Sequence, residues 1–172
     1  MLRNRTGAGK KKVMKEHSVN LPDRNPADRT GGIVRGATRL LVEMGYRTLT
    51  ELQLGNGRRV DVIGLDRQGR FVVVEVKSSV ADFRADGKWL EYLPYCDAFY
   101  FAVSPDFPME ILPPDVGVIF ADAYDGAIQR DAHVIAMNAS RRRALTVRFA
   151  RTAAGRLDGD AASRNGFAIR AL

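Results

Sequence analysis

Apolar residues recur along this chain in two rhythms. Ile33, Ala37, Leu40, Leu41 and Met44 fall three or four apart, which predicts a helix starting near Gly32 and ending by Gly45. Arg35, Arg39 and Glu43 line another side of it at four-residue spacing. The rhythm then shortens into brief apolar runs bounded by turn residues, predicting strands over 47–54, 59–66 and 71–78. Gly55-Asn56-Gly57 and Arg67-Gln68-Gly69 separate these strands, and both triplets end in glycine. A three-residue hairpin whose last residue is left-handed requires that. Asn56-Gly57 also fits a two-residue turn, so the register of the first two strands stays open. Ser79-x-x-Asp82 then opens a helix expected to run towards Tyr92 and to stop by Pro94. Strands are predicted at about 98–104, 116–121 and 126–131, and a last helix over 139–157. On that helix Val147, Phe149, Ala150, Ala153, Ala154 and Leu157 fall on one broad side, with Arg141, Arg148, Arg151 and Arg156 on the other. The order predicts one mixed α/β domain with helices available for both faces of a sheet. Residues 1–31 read as a basic, disordered tail, 32–157 as the domain and 158–172 as a flexible tail.

Composition narrows the partners. The formal net charge is +7, which favours polyanions, either nucleic acid or an anionic membrane surface. Within residues 1–15 Arg3, Arg5, Lys10, Lys11, Lys12 and Lys15 are unaccompanied by acid until Glu16, which suits a solubilising tail or a DNA-contacting arm equally. No apolar run is long enough for a membrane span and no secretory h-region is present. Cys96 is the only cysteine, read as a core thiol, and a reducing, cytoplasmic setting is expected. His17 and His133 lack metal-ligand spacing, and there is no zinc pattern, phosphate loop or nucleophile elbow.

Candidate chemistry lies on the second hairpin. Alternate side chains of a strand share a face, so Glu75 and Lys77 point with Phe71 and Val73, and Asp61 with Ile63 and Leu65. With a three-residue loop, Leu65 faces Phe71, Ile63 faces Val73, and Asp61 faces Glu75. Facing like charges destabilise a sheet, and partly buried carboxylates are unfavourable unless paired or metal-bound. A hard divalent cation would resolve the conflict, since Mg²⁺ takes a few carboxylate oxygens and keeps water and phosphate oxygens as its other ligands. Lys77 would then stabilise developing negative charge or position the nucleophile. With the three-residue reading of Gly55-Asn56-Gly57, Glu51 joins the row as a third acid; with the two-residue reading it points away. The plain reading is a solvated hairpin in which Lys77 neutralises Glu75. A lone Glu-x-Lys is common, whereas an Asp across a tight hairpin from it, after Val72-Val73-Val74, is a stronger signal.

Asp61, followed after a 13-residue gap by Glu75-Val76-Lys77, resembles the D…(D/E)-x-K signature of the PD-(D/E)XK nuclease superfamily. That resemblance implies a restriction-endonuclease-like core, a mixed central sheet flanked by helices, with both acids holding Mg²⁺ (or Mn²⁺) and the lysine assisting phosphodiester hydrolysis. Val60 stands where the superfamily's proline is usual. Gly57-Arg58-Arg59-Val60-Asp61-Val62, the run Glu75 to Asp86, Lys88-Trp89, Tyr95-Cys96-Asp97 and Phe99 to Val103, with the closing Arg-rich helix, are similar to the bacterial MmcB family of DNA repair proteins. This second resemblance covers Gly32 to Leu157 and implies a role in DNA damage repair without deciding whether the protein cleaves DNA.

Other residues carry two readings each. Lys88 suits a phosphate contact or a solvated helix face, and Trp89 a helix–sheet packing anchor. Asp82 and Asp86 read as cap and surface charge. Arg58 and Arg59 flank the acids and either contact phosphate or balance charge. Arg141, Arg142 and Arg148 make a phosphate-binding face or a basic solvated helix. The expected function is Mg²⁺-dependent DNA cleavage in repair. A non-catalytic DNA-binding repair factor on the same fold is the first alternative, and a partner-recruiting scaffold the second. DNA is the expected partner, with a homodimer or other repair proteins left open and no membrane.

Overall fold

The computed structural model describes residues 26–165. A single six-stranded sheet runs in the order β1 (Arg47–Gln53), β2 (Arg59–Leu65), β3 (Phe71–Lys77), β4 (Ala98–Val103), β5 (Gly117–Ala121) and β6 (Gly126–Arg130). The first three strands form an antiparallel meander, β3, β4 and β5 are parallel, and β6 returns antiparallel. Both hairpin triplets close as expected of three-residue loops: Leu54 N–H donates to Arg58 O and Asp66 N–H to Arg70 O, with Gly57 and Gly69 at positive φ. The β2–β3 register pairs Leu65 with Phe71 and Ile63 with Val73, as the hairpin count predicts.

Helix α1 (Pro26–Glu43) covers one face, packing Ile33, Ala37, Leu40 and Leu41 onto Val62, Val72, Val74, Val76, Ile119 and Ala121. It starts before the expected Gly32. Pro26 has the fixed φ a first helical turn needs, and Asp28 complements the helix dipole. Gly32, read as the boundary, lies instead inside the helix, and Gly36 lets α1 approach the β5–β6 turn, where a methyl on it would strike the carbonyl oxygens of Asp122 and Asp125. Arg39 donates to the carbonyl of Tyr124 in the same turn. Met44 lies past the helix end and is exposed, contrary to its expected core role. The basic cluster within residues 1–15 lies outside the described residues.

On the other face lies the larger core, built from Ile63, Phe71, Val73, Phe99, Phe101 and Val103. The segment after β3 covers it, but not as one helix reaching Tyr92. Helix α2 (Val80–Ala85) is capped by Ser79, whose Oγ accepts from Asp82 N–H, and stops at Asp86. Two short 3₁₀ turns, Trp89–Glu91 and Leu93–Tyr95, follow. Gly87 weakens helix continuation, and the turns let Tyr92 and Trp89 reach the core. Trp89 packs 5.7 Å from Phe99 and 5.5 Å from Phe101, and Phe83 packs edge-on at 5.5 Å from Phe101, so Trp89 serves as the expected anchor. Buried Cys96 joins the same core, and burial first, then Asp97, pushes its thiol up to about 12.

Helix α3 (Ala139–Asn165) extends past the expected end at residue 157. Among its residues whose burial is described, Leu145 and Phe149 are buried, while Val147 and Leu157, expected on an apolar side, are exposed. Its attachment is polar as well as apolar. Arg142 grips buried Asp97 with two hydrogen bonds, 2.6 and 2.8 Å, and a third goes to Gly69 O. Asp97 also accepts from the Phe71 and Met137 backbone N–H groups. Burial works to raise the Asp97 value, but Arg142 and the two N–H donors hold it below the usual carboxylate range. Removing Arg142 would leave a carboxylate only 5% exposed without its counter-charge. Arg142→Ala is therefore expected to destabilise the fold by about 2–4 kcal/mol in urea titrations, the lower part of the range reflecting the half-exposed arginine. A loss below about 1 kcal/mol would show that the pair does not hold α3 to the sheet.

Candidate active site

At the C-terminal end of β3 the core gives way to charge. Glu75 and Lys77 continue the Phe71–Val73 face and are buried, with side chains 8% and 4% exposed. Their β4 neighbours are Phe101 and Val103, and the Phe83–Trp89 wall packs over Phe101. Water is thus kept from one flank of Glu75. Across the hairpin, regular β2–β3 pairing ends at Val62–Val74. One residue beyond, Asp61 Oδ2 accepts the Val76 backbone N–H at 2.8 Å, so a side-chain carboxylate replaces the strand carbonyl where the two strands part.

The hairpin register that sets Asp61 opposite Glu75 therefore holds up to the last regular pair before them, and the Asp61 charge acts on Glu75. Burial first, then the Asp61 charge, pushes Glu75 up to about 8. Asp61 is raised by burial, against the opposing pull of the Val76 N–H and Lys77. Lys77 Nζ donates to Glu75 Oε1 at 3.1 Å and to Asp86 Oδ2 at 2.5 Å. Burial works to lower the lysine value, but Asp86 and Glu75 outweigh it and raise it. Glu75 Oε2 is buried with no hydrogen-bond partner.

Asp86 is the residue the sequence reading missed. On a continuous helix it would share a solvent face with Asp82; the break at Asp86-Gly87 turns it back onto Lys77. That Asp-Gly pair is a turn signal and was the clue available. Asp82 takes the capping role expected of it, accepting from Ser78 N–H. Tyr92 was also missed: it is buried, and burial first, then Glu75, Asp86 and Asp61, push its hydroxyl up to about 12.

Glu51 reaches its expected rung, since Thr50–Val62 and Leu52–Val60 flank it in the register of the three-residue loop. It is not gathered into the acid pair. Its backbone is left-handed, with φ of 54°, and its exposed side chain pairs with Arg59 at 2.6 Å. Leu49 and Leu52 both pack towards the larger core, so strand alternation breaks at this residue. Among the described residues no group of three or more His, Cys, Asp or Glu side chains is placed to hold a metal ion. Asp61 and Glu75 remain as a pair, and an unpartnered buried oxygen on one of them fits a hard cation that also takes water and phosphate ligands.

The basic residues separate. Arg58 forms a two-pronged pair with Glu91, at 2.7 and 2.8 Å. Arg59 is 70% exposed beside the acids, and Lys88 is exposed next to Asp86. Arg141 lies over the Tyr95 ring and donates to Pro94 O. Arg142 faces inward to Asp97, as described, so its fork is structural, whereas Arg148 is exposed on α3.

A mixed α/β domain with a buried and a half-buried carboxylate beside an ammonium is the class that fold and geometry define. The MmcB-like family profile, described as DNA repair protein MmcB-like, matches residues 17–163. The chain belongs to this MmcB-like family, and its role is in DNA repair. The SPO1766 protein of unknown function from Silicibacter pomeroyi is similar in structure, with a TM-score of 0.75 and 41% identity, covering 87% of this chain and 99% of that one. A repair endonuclease from Pyrococcus abyssi overlaps 60% of this chain and 49% of its own, at 17% identity and a TM-score of 0.35, too slight a likeness to carry an argument. No curated protein matches. No helix among the described residues is long and apolar enough to cross a membrane.

The raised Glu75 value has a consequence for stability. Between its ordinary 4.5 and about 8 the folded state holds a proton that the unfolded state releases. Metal-free protein is thus expected to lose stability as pH rises through that window, by at most about 5 kcal/mol. Glu75→Gln is expected to remove the slope in urea titrations run with chelator from pH 5 to about 8.5. Parallel curves for the two proteins would refute the burial of an ionisable Glu75.

Proposed function

We propose that this protein hydrolyses phosphodiester bonds of DNA during repair, with Mg²⁺ or Mn²⁺ held by Asp61 and Glu75 and with Lys77 assisting. One observation carries the proposal: a buried carboxylate oxygen of Glu75 has no hydrogen-bond partner, on an acid that feels both the Asp61 charge and the Lys77 ammonium. A divalent cation, when bound, would stabilise charge on the scissile phosphate and make a water more acidic. Asp61 would offer its carboxylate from the split between β2 and β3, a position fixed by the Val76 N–H. Lys77 has three ammonium protons, two of which meet Glu75 and Asp86. The third is left for a phosphate oxygen or the attacking water. Arg59 and Lys88, exposed beside these groups, would meet flanking phosphates, and Arg148 would do so from α3. The strand order and the Asp…Glu-x-Lys spacing support a restriction-endonuclease-like core of the PD-(D/E)XK kind.

One feature favours a second reading, a DNA-binding repair factor without catalysis: among the described residues no third acid is placed to hold a metal with Asp61 and Glu75, and Glu51 is tied to Arg59. The two readings part on cleavage. Purified full-length protein with Mg²⁺ or Mn²⁺ is expected to nick at least one of duplex, single-stranded or branched DNA. Asp61→Ala and Lys77→Ala should each lower that rate by about 10²–10³-fold with DNA affinity retained, as for loss of groups acting on transition-state charge. A panel without cleavage, together with salt-sensitive binding indifferent to metal and to Asp61→Ala, would overturn the nuclease reading.

A further inference from the structure

We propose that Asp86 is a positioning residue: it draws the Lys77 ammonium off the Asp61–Glu75 pair and so keeps the second oxygen of Glu75 open to a cation. The inference rests on the reading of that pair as a cation site and adds a residue to it.

The geometry carries the argument. Lys77 Nζ lies 2.5 Å from Asp86 Oδ2 but 3.1 Å from Glu75 Oε1, so the ammonium sits closer to the acid outside the pair. Asp86 is itself held. Its other oxygen accepts the Lys88 backbone N–H at 2.8 Å, and its own N–H donates to Phe83 O, closing α2. The carboxylate therefore has a fixed direction set by backbone on both sides, as a group that orients another must. Lys77, only 4% exposed, has little water to turn to. Without Asp86 the nearest anions left to it would be Glu75 and Asp61. A lysine collapsed onto Glu75 would compete with a cation for the same oxygens.

Charge points the same way. Asp61, Glu75 and Asp86 with Lys77 sum to −2 when all are ionised, which one divalent cation neutralises. Neutralising Asp86 leaves −1 and an ammonium beside the incoming ion. Partners of this outer kind typically change metal affinity by about 10–100-fold.

The test uses the full chain and two readouts. In ¹⁵N-labelled, metal-free protein, the Lys77 ammonium, assigned by its absence in Lys77→Arg, is expected to give a slowly exchanging signal. Asp86→Asn, and Asp86→Ser as a second neutral variant, should abolish that signal, while Asp86→Glu keeps it. Asp82→Asn, which loosens the cap of the same helix without touching Lys77, should also keep it. Calorimetry with Mn²⁺ should then show about tenfold weaker binding in Asp86→Asn, largely recovered in Asp86→Glu. No protected Lys77 signal in wild type, an unchanged signal in both neutral variants, or equal loss in Asp82→Asn would overturn the positioning role. If the signals behave as expected but wild type binds no Mn²⁺, the cation reading fails while the Asp86–Lys77 arrangement stands.

Discussion

The parting of β2 from β3 beyond the Val62–Val74 rung is the constraint on which the site depends. A continued ladder would place the two carboxylates of the next rung side by side on a flat surface. Here Asp61 turns into the gap and accepts the Val76 N–H, so a backbone donor is satisfied by an acid, not a carbonyl. β3 meanwhile stays paired to β4 as far as Lys77–Val103. Glu75 and Lys77 are therefore held on a rigid central strand while Asp61 faces them from the strand that leaves. On β1, the left-handed Glu51 lies on the same rung and marks where alternation fails in the neighbouring strand as well. A non-glycine residue in that conformation is disfavoured by roughly 1–3 kcal/mol, an amount the surrounding pairing must offset.

Burial decides what this geometry does. Two exposed acids and a lysine would be screened by water and amount to little. The Phe83–Trp89–Phe101 wall removes that screening, and desolvation is the largest influence on Glu75, Asp61 and Lys77 alike. The outcome is an acid whose neutral form is favoured in the absence of a cation. The turns after α2 are thus as much part of the site as the hairpin, since they bring the aromatic wall and Asp86 to the same place. At the opposite end of β3, the Asp97–Arg142 pair anchors α3, so one strand joins the structural and the candidate chemical centres.

Much of this was legible in the chain. Gly69 at the end of its triplet set the second hairpin's register, and period-two alternation then put Asp61, Glu75 and Lys77 together, whereas Asn56-Gly57 left the first register open between two turns until the structure closed it as a three-residue loop. Local backbone chemistry suffices for such inferences. What escaped depends on contacts distant in sequence. Gly32 looks like punctuation, and Gly36 carries no signal, until the β5–β6 turn is set against them. Arg142 looks like one more surface arginine until Asp97 is buried beneath it, and an arginine-rich helix gives no sign of which member turns inward. Glu51 sat on its rung as counted, but its left-handed backbone, which alternation cannot foresee, sent its side chain to Arg59. Asp86 was hidden by reading one helix where the chain makes a short helix and two turns.

In the proposed site Asp61 and Glu75 share a divalent ion beside Lys77. Anomalous diffraction from crystals of the full chain grown with Mn²⁺ tests it most directly. A peak bound by both carboxylates is expected, with Glu75 Oε2 as a ligand and Lys77 still on Asp86. A crystal saturated with Mn²⁺ in which that position is empty and Glu75 Oε2 remains without a partner would contradict it.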